Sequence, residues 1–384
     1  MKKLKRAYKI EINPTDEQKS KIHQTIGVSR FIYNFYIAHN KESYEKEGKF
    51  ISGMDFSKWL NNEYIPNNPD KKWIKEVSSK ATKQAIMNGD KAFKDFFKGT
   101  KGFPKFKKKK NQNVKAYFPK NNKTDWLIER HRVKIPTLGW VRLKEFGYIP
   151  INSVVKSGTV SQQADRYYVS ILVEEEIECN NNNFTQGIGI DLGLKDFAIC
   201  SNGLTKKNIN KSKAVKKVEK KLKKEQRKLS RKYESLKIRN KKEGGNATRQ
   251  NIQKQVVKVQ KLHQRLTNIR TDYINKTINE IIKQKPSYIF KGMMKNRHLS
   301  KAVAQQKFYK FRSKLTSKAN QNRIEIRVVD KFYPSSKTCS CCGAIKRDLK
   351  LSDRIYRCDI CKSEIDRDLN ASINLANAKK YKVA

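Results

Sequence analysis

The pattern of apolar and polar positions predicts a strand followed by helices at the start of the chain. Residues 5–12 alternate as in a strand, and residues 13–17 (NPTDE) predict a turn that leads into a helix N-cap. Residues 29–46 and 73–97 place aromatic and aliphatic side chains three and four positions apart, which favours helices. Glycines and a proline within residues 99–104 end this helical region.

Short alternating runs follow, and they predict antiparallel strands. Three of them are residues 133–135, 140–143 and 167–173. Strands this short and this close together are typical of a small β-barrel. Four asparagines at residues 180–183 then predict a linker to a second domain.

The second domain begins with two apolar strands that flank an Asp-Leu-Gly turn, within residues 187–199. Residues 213–239 and 248–284 have helical periodicity and dense lysine, and Gly-Gly-Asn at residues 244–246 supplies the break of a long helical hairpin. Each of these lysines is best interpreted as part of a solvated face. Together they still give the hairpin a cationic flank.

The charge balance indicates the kind of partner. The 384 residues carry 87 Lys and Arg against 36 Asp and Glu, a formal net charge of +51. Such self-repulsion favours a polyanion, so we predict nucleic acid rather than a small-molecule substrate. No run approaches the roughly 18 apolar residues that cross a bilayer, and the opening residues lack an apolar signal core, which predicts a cytosolic protein. Binding to a membrane surface would need a basic amphipathic helix, but the aromatic residues are scattered.

Four of the seven cysteines form two Cys-x2-Cys pairs, Cys339 with Cys342 and Cys358 with Cys361, with fifteen residues between the pairs. This spacing predicts a tetrathiolate zinc ribbon, because two thiolates of one tight turn can occupy adjacent vertices of a tetrahedron. Disulfides are the alternative, and a cytosolic location disfavours them. Cys341 crowds the first pair and could replace a ligand in a variant. A zinc ribbon stabilises the fold and does not by itself indicate a function.

Two acids are candidates for a second site. Asp191 ends the first strand of the second domain, where an Asp-x-Gly turn is compatible with RNase H-like nucleases, with actin-like ATPases and with an ordinary hairpin. Asp368 lies at a helix start after the cysteine pairs, where its carboxylate can return to the same sheet edge.

Four segments, taken in chain order with the cysteine pairs, carry a family resemblance. They are residues 102–107 (GFPKFK), 191–198 (DLGLKDFA), 334–339 (PSSKTC) and 366–371 (DRDLNA). Over nearly its whole length the chain resembles TnpB, the transposon-encoded RNA-guided nucleases ancestral to type V CRISPR effectors.

The resemblance implies an α+β multidomain fold. A wedge β-barrel would contain an inserted helical recognition lobe, and a RuvC-like (RNase H-like) α/β domain would contain an inserted zinc ribbon. The predicted bounds are 1–28 and 113–179 for the barrel, 29–112 for the helical lobe, 184–334 and 365–384 for the RuvC-like domain with its helical hairpin at 211–284, and 335–364 for the zinc ribbon.

The resemblance also implies a cleavage site in which three acids hold two divalent ions for phosphodiester hydrolysis. Two of the acids are matched by Asp191 and Asp368. The third, a Glu at the end of a central strand, is expected near Phe290 and Lys291, but the segment Glu-Asp-Leu-Asn or its equivalent is missing there. Lys291 would instead repel a cation. We therefore expect no functional nuclease and little need for Mg²⁺.

No other acid between residues 197 and 334 is expected to end that strand. These acids are Glu219, Glu225, Glu234, Glu243, Asp272, Glu280, Glu325 and Asp330.

Eight residues are predicted to contact nucleic acid, although each is also compatible with a solvated surface position. The resemblance places Ser79, Lys80 and Lys83 on a helix that faces a DNA motif. It places Ser57, Lys120 and Asn121 in matching segments. Lys105 and Lys107 belong to a lysine run that is predicted to follow a phosphate backbone.

The missing acid makes the chain similar to one branch of the family, the TnpB-like nuclease-dead repressors (TldR). This similarity implies that a guide RNA derived from a transposon-like end directs binding to double-stranded DNA beside a short motif, and that transcription is blocked in the bacterial nucleoid. The alternatives are an active RNA-guided DNA endonuclease with a displaced acid, a plain RNA-binding protein, and an actin-like ATPase, for which we find no second glycine-rich phosphate loop.

Overall fold

The computed structural model describes residues 2–108, 115–118, 120, 125–151, 153–177, 185–242, 248–291, 300–330, 332–350 and 352–383. The chain forms two compact units, Met1–Cys179 and Asn180–Ala384. Within the described ranges, no helix is both long enough and apolar enough to cross a membrane.

The first unit contains a seven-stranded antiparallel sheet. Its strands are β1 (Lys2–Asn13), β2 (Lys115–Phe118), β3 (Leu127–Ile128), β4 (Arg132–Ile135), β5 (Gly139–Leu143), β6 (Val154–Gln163) and β7 (Arg166–Ile177). They lie in the order β2-β6-β7-β1-β5-β4-β3. Every strand contributes apolar side chains to one shared core, which includes Ile10, Val133 and Val169. The predicted strands at residues 133–135, 140–143 and 167–173 are confirmed.

The helices of the first unit lie between β1 and β2 in the chain. They are α1 (Asp16–Glu47), α2 (Gly53–Trp59), α3 (Ile65–Asn67) and α4 (Ser79–Phe97), with a π-helical turn at Leu60–Tyr64 and a 3-10 segment at Pro69–Glu76. They share an aromatic core in which Tyr36, Phe56 and Phe93 are buried.

Helix α1 begins earlier than the predicted domain division allows. The Thr15 hydroxyl accepts a hydrogen bond from the Gln18 backbone N–H, and the Gln18 side chain accepts one from the Thr15 N–H, which completes a capping box. No break follows until Gly48, which adopts the left-handed conformation. The predicted boundary between residues 28 and 29 therefore falls inside a continuous helix.

The second unit is an α/β domain with an inserted hairpin. In chain order its elements are β8 (Ile188–Asp191), β9 (Asp196–Cys200), β10 (Thr205–Lys207), α5 (Lys213–Lys242), α6 (Gln250–Lys283), β11 (Tyr288–Lys291), α7 (Ser300–Gln306), α8 (Phe308–Gln321), β12 (Glu325–Val328), β13 (Ile355–Arg357), β14 (Glu364–Asp366), α9 (Arg367–Ala376) and β15 (Lys382–Val383). The main sheet has the order β10-β9-β8-β11-β12-β15, and β13 pairs only with β14. β8, β11 and β12 are parallel, and β9 runs antiparallel to β8.

The long helices α5 and α6 form the predicted hairpin. Apolar side chains at helical spacing line their contact, among them Val215, Leu222, Val259 and Leu266. The residues predicted to break the hairpin, 244–246, lie outside the described residues.

Helix α9 crosses strand β8 at Gly189. A Cβ atom on this residue would lie 2.0 Å from the Ser372 carbonyl oxygen and 2.5 Å from the Ala376 backbone nitrogen. Such distances are far below van der Waals contact, so only glycine lets the helix backbone approach this closely. On the opposite face of the strand, Ile188 and Ile190 pack with α6 and α8 residues such as Ile278 and Phe311.

The substitution Gly189→Ala is expected to lower the free energy of unfolding by about 3 kcal/mol, because the new methyl group overlaps helix backbone atoms that cannot move separately. Guanidinium unfolding of the full chain measures this loss. Gly27→Ala in α1 is the matched control, since its Cβ would meet no atom within 4 Å. This control should be neutral or stabilising by up to about 1 kcal/mol. Equal losses of stability in both variants would show that the contact with α9 is not the reason why residue 189 is glycine.

Candidate functional site

The two predicted acids are brought together by the crossing of α9 over β8. Asp191 is the last residue of β8, and Asp368 lies in the first turn of α9. Burial raises the pKa of the Asp191 carboxyl to about 6, and the negative charge of Asp368 adds to this shift. The two carboxyls are therefore close enough to interact electrostatically, and their role as remnants of a cleavage site stays a prediction.

The residues before Asp368 hold it in place. The Asp366 carboxylate caps α9 by accepting hydrogen bonds from the backbone N–H groups of Asp368, at 2.9 Å, and Leu369, at 3.1 Å. Arg367 forms an ion pair with Asp368, with 3.1 Å between Nη2 and Oδ1, and both side chains are largely buried. An arginine thus partly neutralises the acid pair. The role of Arg367 was not predicted from the sequence, where its position between two aspartates at a helix start was the available signal.

Strand β11 was predicted to carry the third acid. Its parallel register with β8 places Phe290 beside Gly189 and Lys291 beside Ile190, one residue short of Asp191. Phe290 is buried in a cluster with Leu375 of α9. The next residue in the sequence is Gly292, which has no carboxylate. The side chain of Lys291 and residues 292–299 lie outside the described residues.

The acids that were considered as substitutes are engaged elsewhere. The observed ion pairs are Glu219 with Arg270, Glu225 with Lys228, Glu234 with Lys237, Asp272 with Lys276, Glu280 with Lys206, and Glu325 with Arg327. Asp330 accepts a hydrogen bond from the Phe332 backbone N–H, and Glu243 lies outside the described residues. Within the part of the chain that the structure describes, no third His, Cys, Asp or Glu joins Asp191 and Asp368 in a metal-binding group.

The four predicted zinc ligands do converge. The ligand atoms of Cys339, Cys342, Cys358 and Cys361 all lie within 4.8 Å of one another. The Sγ–Sγ distance is 3.6 Å between Cys339 and Cys361 and 3.5 Å between Cys342 and Cys358. A tetrahedron with Zn–S bonds of about 2.3 Å has edges of about 3.8 Å. The thiols therefore fit a structural Zn²⁺ ion.

The two cysteine turns have the same backbone shape. The residue after the second cysteine of each pair adopts a left-handed conformation, with φ 79° at Gly343 and φ 60° at Lys362. In each turn this residue donates its N–H to the carbonyl of the first cysteine, Cys339 or Cys358. Two equivalent turns facing each other are the structure that a tetrathiolate site requires.

Two asparagines of α9 tie the zinc ribbon to the acid pair. The Asn370 side chain accepts from the Ser340 N–H at 2.9 Å and donates to the Thr338 carbonyl at 2.7 Å. Asn374, one turn later, donates to the carbonyls of Ser335 and Thr338. Both asparagines are buried. Their i, i+4 spacing on a helix was the sequence signal for this second role of α9.

Seven of the eight residues predicted to contact nucleic acid are described, and all seven belong to the first unit; Asn121 lies outside the described residues. Ser79, Lys80 and Lys83 are exposed near the start of α4, and Lys105 is exposed after that helix. Ser57 on α2 and Lys120 after β2 are partly buried. Their contacts with nucleic acid stay predictions.

Lys107 has a structural role that the sequence did not indicate. Its backbone exchanges two hydrogen bonds with the Asn34 side chain, at 2.8 and 2.9 Å. Its ammonium lies 3.6 Å from the centre of the Tyr33 ring, and burial lowers its pKa. This lysine is thus held against α1, whereas Lys105 is exposed.

Replacing Cys358 with Ser is expected to abolish zinc binding and to destabilise the ribbon, because a structural zinc site contributes its binding free energy to folding. Zinc content by mass spectrometry and thermal unfolding measure the two effects. Cys341→Ser is the control, because Cys341 lies outside the four-thiol group and its loss should leave the zinc content unchanged. Full zinc retention by the Cys358→Ser protein would contradict the ligand assignment.

The raised pKa of Asp191 predicts a pH-dependent effect of Asp191→Asn. The folded pKa of about 6 exceeds the value of about 3.9 in an unfolded chain, so the folded state loses stability as the pH rises from 4 to above 6. An asparagine side chain does not ionise, so the variant does not lose this stability. The variant should therefore gain about 1 to 3 kcal/mol relative to the parent between pH 4 and pH 7.5, measured by urea unfolding without added Mg²⁺.

Asp348→Asn is the control for this measurement, because Asp348 is exposed and the change removes the same formal charge. Its effect should vary much less over the same range. A difference between Asp191→Asn and the parent that stays constant from pH 4 to pH 7.5 would contradict the raised pKa.

Three family models of known proteins match parts of the sequence. The family model described as "Probable transposase", of IS605 OrfB proteins, matches residues 170–289, and the "Cas12f1-like, TNB domain" model matches residues 308–375. A model described as "Helix-turn-helix domain", also of IS605 OrfB proteins, matches residues 1–49, which form strand β1 and helix α1 in this structure.

Two curated relatives match along almost their whole length. A putative RNA-guided DNA endonuclease, InsQ, of Escherichia coli K12 is 28% identical over 398 residues, which cover 98% of this chain and 93% of the relative. A putative RNA-guided DNA endonuclease of Streptomyces pristinaespiralis is 27% identical over 391 residues, 98% of this chain and 90% of the relative.

The fold also matches a solved structure. The effector in the Cas12f1-sgRNA-target DNA complex superposes with a TM-score of 0.57 at 13% sequence identity, covering 99% of this chain and all of the other. At this identity the likeness establishes the fold, and it confirms the predicted α+β architecture with a zinc ribbon. The family models, the relatives and the fold together show that the chain is similar to TnpB/IS605 OrfB proteins.

Proposed function

We propose that this protein is an RNA-guided DNA-binding protein that does not cut DNA and that represses transcription where it binds. The proposal rests on the number of carboxylates at the candidate site. Asp191 and Asp368 converge, but the described residues offer no third carboxylate, and the sequence has none at the end of β11.

A two-metal nuclease needs carboxylate oxygens around both ions, because the paired ions stabilise the attacking and the leaving oxygen. Two acids cannot supply that ligand set. One of them, Asp368, already has the Arg367 guanidinium at 3.1 Å, which opposes the approach of another cation. We therefore expect a weak cation site that does not hold the two ions that hydrolysis requires.

DNA binding does not depend on a pair of bound metal ions. The formal net charge of +51 favours contacts with phosphates, which supply sequence-independent affinity. Base pairing with a guide RNA would supply sequence specificity. The proposal includes a guide from a transposon-like end, a short DNA motif beside the target, and association with the bacterial nucleoid. The names of the relatives, which include RNA guidance and DNA, support this partner set.

The second candidate is an active RNA-guided DNA endonuclease. Two relatives that match at least nine-tenths of their length are named as putative endonucleases, which favours this candidate. It requires a carboxylate from the residues between β11 and α7, and residues 292–299 contain neither Asp nor Glu. The observation on β11 therefore favours the non-cutting protein.

We expect the purified complex to bind matched DNA without cutting it. RNA that copurifies with the protein is sequenced, its variable end defines the matched plasmid, and the complex is incubated with that plasmid and Mg²⁺. Matched duplex should be protected equally with and without Mg²⁺, and no nicked or linear product should form. A reporter gene with the matched site should be repressed in cells.

The double substitution Asp191→Asn, Asp368→Asn is the control. It should bind matched duplex within about twofold of the parent, because neither acid is needed for guide pairing or phosphate contacts. A cleavage product made by the parent but not by this variant would establish the endonuclease instead. RNA binding without any protection of duplex DNA would indicate a plain RNA-binding protein.

A further inference from the structure

A cavity of about 470 Å³ lies between the ends of helices α6 and α8 in the second unit. Helix α6 ends just before β11 begins, and α8 ends just before β12 begins. Asp191 is the last residue of β8, which runs parallel to β11, so the cavity lies at the opposite end of the sheet from the acid pair. Of the described residues that line it, three are lysines and none is acidic.

Regularly spaced hydrogen bonds join α6 to α8 before the cavity. The Lys310 ammonium donates to the Thr271 hydroxyl at 2.8 Å, and the Lys314 ammonium donates to the Asn275 side-chain oxygen at 2.7 Å. From the first pair to the second, both helices advance by four residues. The two helices therefore run parallel, and residues four apart on each face the other helix.

The next pair in this series, Asn279 and Lys318, lines the cavity. Within the part of the chain that the structure describes, neither of these two side chains has a hydrogen-bond partner. The cavity thus lies where the series predicts a third link between the helices. A carboxamide and an ammonium are both hydrogen-bond donors, so together they can bind an acceptor placed between them.

The other two lysines of the cavity come from the end of α6. Lys283 is the last residue of the helix, and Lys285 lies in the turn to β11 with a left-handed φ of 50°. The Lys285 carbonyl accepts a hydrogen bond from the Thr185 N–H at 2.8 Å, and the Gln284 carbonyl accepts one from the Thr185 hydroxyl at 2.8 Å. These bonds hold the backbone of the turn in place.

The charges of these three lysines are not neutralised by nearby acids. Among the described residues, their ammonium groups form no ion pair. Glu280 and Glu325 are next to lining residues in the sequence, but they pair with Lys206 and Arg327. The cavity is therefore a concentration of positive charge that the chain itself leaves uncompensated.

The capping of the two helix ends does not require these lysines. The Ile282 carbonyl at the end of α6 accepts a hydrogen bond from the Lys285 N–H at 3.0 Å. The Lys318 carbonyl at the end of α8 accepts one from the Asn322 side chain at 2.8 Å. Each helix end carries about −0.5 of an elementary charge, so the two ends offset about one of the three lysine charges and leave about +2.

The size and walls of the cavity favour an organic anion over a bare one. A phosphate has five non-hydrogen atoms, which fill about 150 Å³ at about 30 Å³ per water-sized group. Ile282 and Ile324 line the cavity and belong to the core beneath it, so they offer an apolar surface to the rest of a ligand. A phosphate monoester carries a charge of nearly −2 at neutral pH, which matches the net charge of the cavity better than the single charge of a backbone phosphodiester.

We propose that this cavity binds an organic phosphate monoester of the size of a nucleoside 5′-monophosphate. The phosphate accepts hydrogen bonds from the three lysines and the Asn279 amide, and the organic group packs on the two isoleucines. A free mononucleotide and the 5′ end of an RNA offer this same chemistry. The site lies apart from the acid pair and does not depend on the proposed function.

Equilibrium dialysis of radiolabelled AMP against the full-length protein, as it is purified, tests the site. AMP should bind about tenfold more tightly than 3′,5′-cyclic AMP, a diester of the same nucleoside, and than adenosine. Lys318→Gln and Lys285→Asn should each weaken AMP binding by about tenfold, and asparagine tolerates the left-handed backbone at residue 285. Binding of AMP should also weaken from pH 7.5 to pH 5, because the monoester takes up its second proton near pH 6.

Lys276→Gln is the matched control. It removes the same charge from α6, and Lys276 is exposed, pairs with Asp272 and is not part of the cavity lining. This variant should bind AMP like the parent. The comparison of AMP with cyclic AMP uses the unchanged protein, so it decides the chemistry of the site even if a variant unfolds.

A second experiment identifies the source of the phosphate, with RNA that carries either a 5′-monophosphate or a 5′-hydroxyl and has the sequence that copurifies with the protein. Tighter binding of the 5′-monophosphate RNA by the parent, but not by Lys318→Gln, would support the RNA end as occupant. Equal binding of the two RNAs, with AMP bound by the protein–RNA complex, would support a free mononucleotide.

Three results would overturn the proposal. One is equal binding of AMP and cyclic AMP by the parent. Another is unchanged binding of AMP in both cavity variants. The third is an equal loss of affinity for both RNAs in Lys318→Gln without any loss for AMP, which would indicate an ordinary contact with a phosphodiester backbone.

Discussion

The close approach of α9 to β8 is the contact on which the second unit depends. Because Gly189 has no side chain, the helix backbone packs directly on the strand, and this contact places Asp368 near Asp191. The same helix presents Asn370 and Asn374 to the loop that enters the zinc ribbon. One helix therefore fixes the sheet edge, the acid pair and the position of the ribbon. This explains why the short segment DRDLNASIN carries so many polar residues, because they cap the helix, pair with each other or bind the loop before the ribbon.

The local pattern of the sequence predicted most of the fold. Alternation and helical spacing identified β4, β5, β7 and the long hairpin closely, because these elements bury regular apolar faces. The turn at residues 13–17 predicted the start of α1, and the capping box of Thr15 and Gln18 confirms it. The domain bound at residue 28 stays a prediction. It falls within a helix whose apolar positions continue on both sides of it.

The candidate site was predictable to different degrees. The spacing of the cysteines was sufficient to predict which four thiols converge, since tetrahedral geometry permits few arrangements. The two acids were candidates from their positions at a strand end and a helix start, and the family resemblance gave them a shared role. The helix crossing that brings them near each other is not revealed by periodicity. Lys107 shows why the lysines could not be sorted from the sequence. It lies over the Tyr33 ring, and this environment comes from residues distant in the chain.

The surviving acids need not be explained by catalysis. Burial of an ionised Asp191 costs stability, as its raised pKa indicates, whereas Asp368 is paired with Arg367 and its backbone N–H is bound by the Asp366 cap. The unfavourable burial thus falls mainly on Asp191, although a backbone hydrogen bond from Leu192 and the charge of Arg367 stabilise its ionised form. The charge of Arg367 offsets part of that cost. Under the proposed function, the absence of a third acid would remove metal binding and leave unchanged the helix crossing that holds the ribbon and the sheet together.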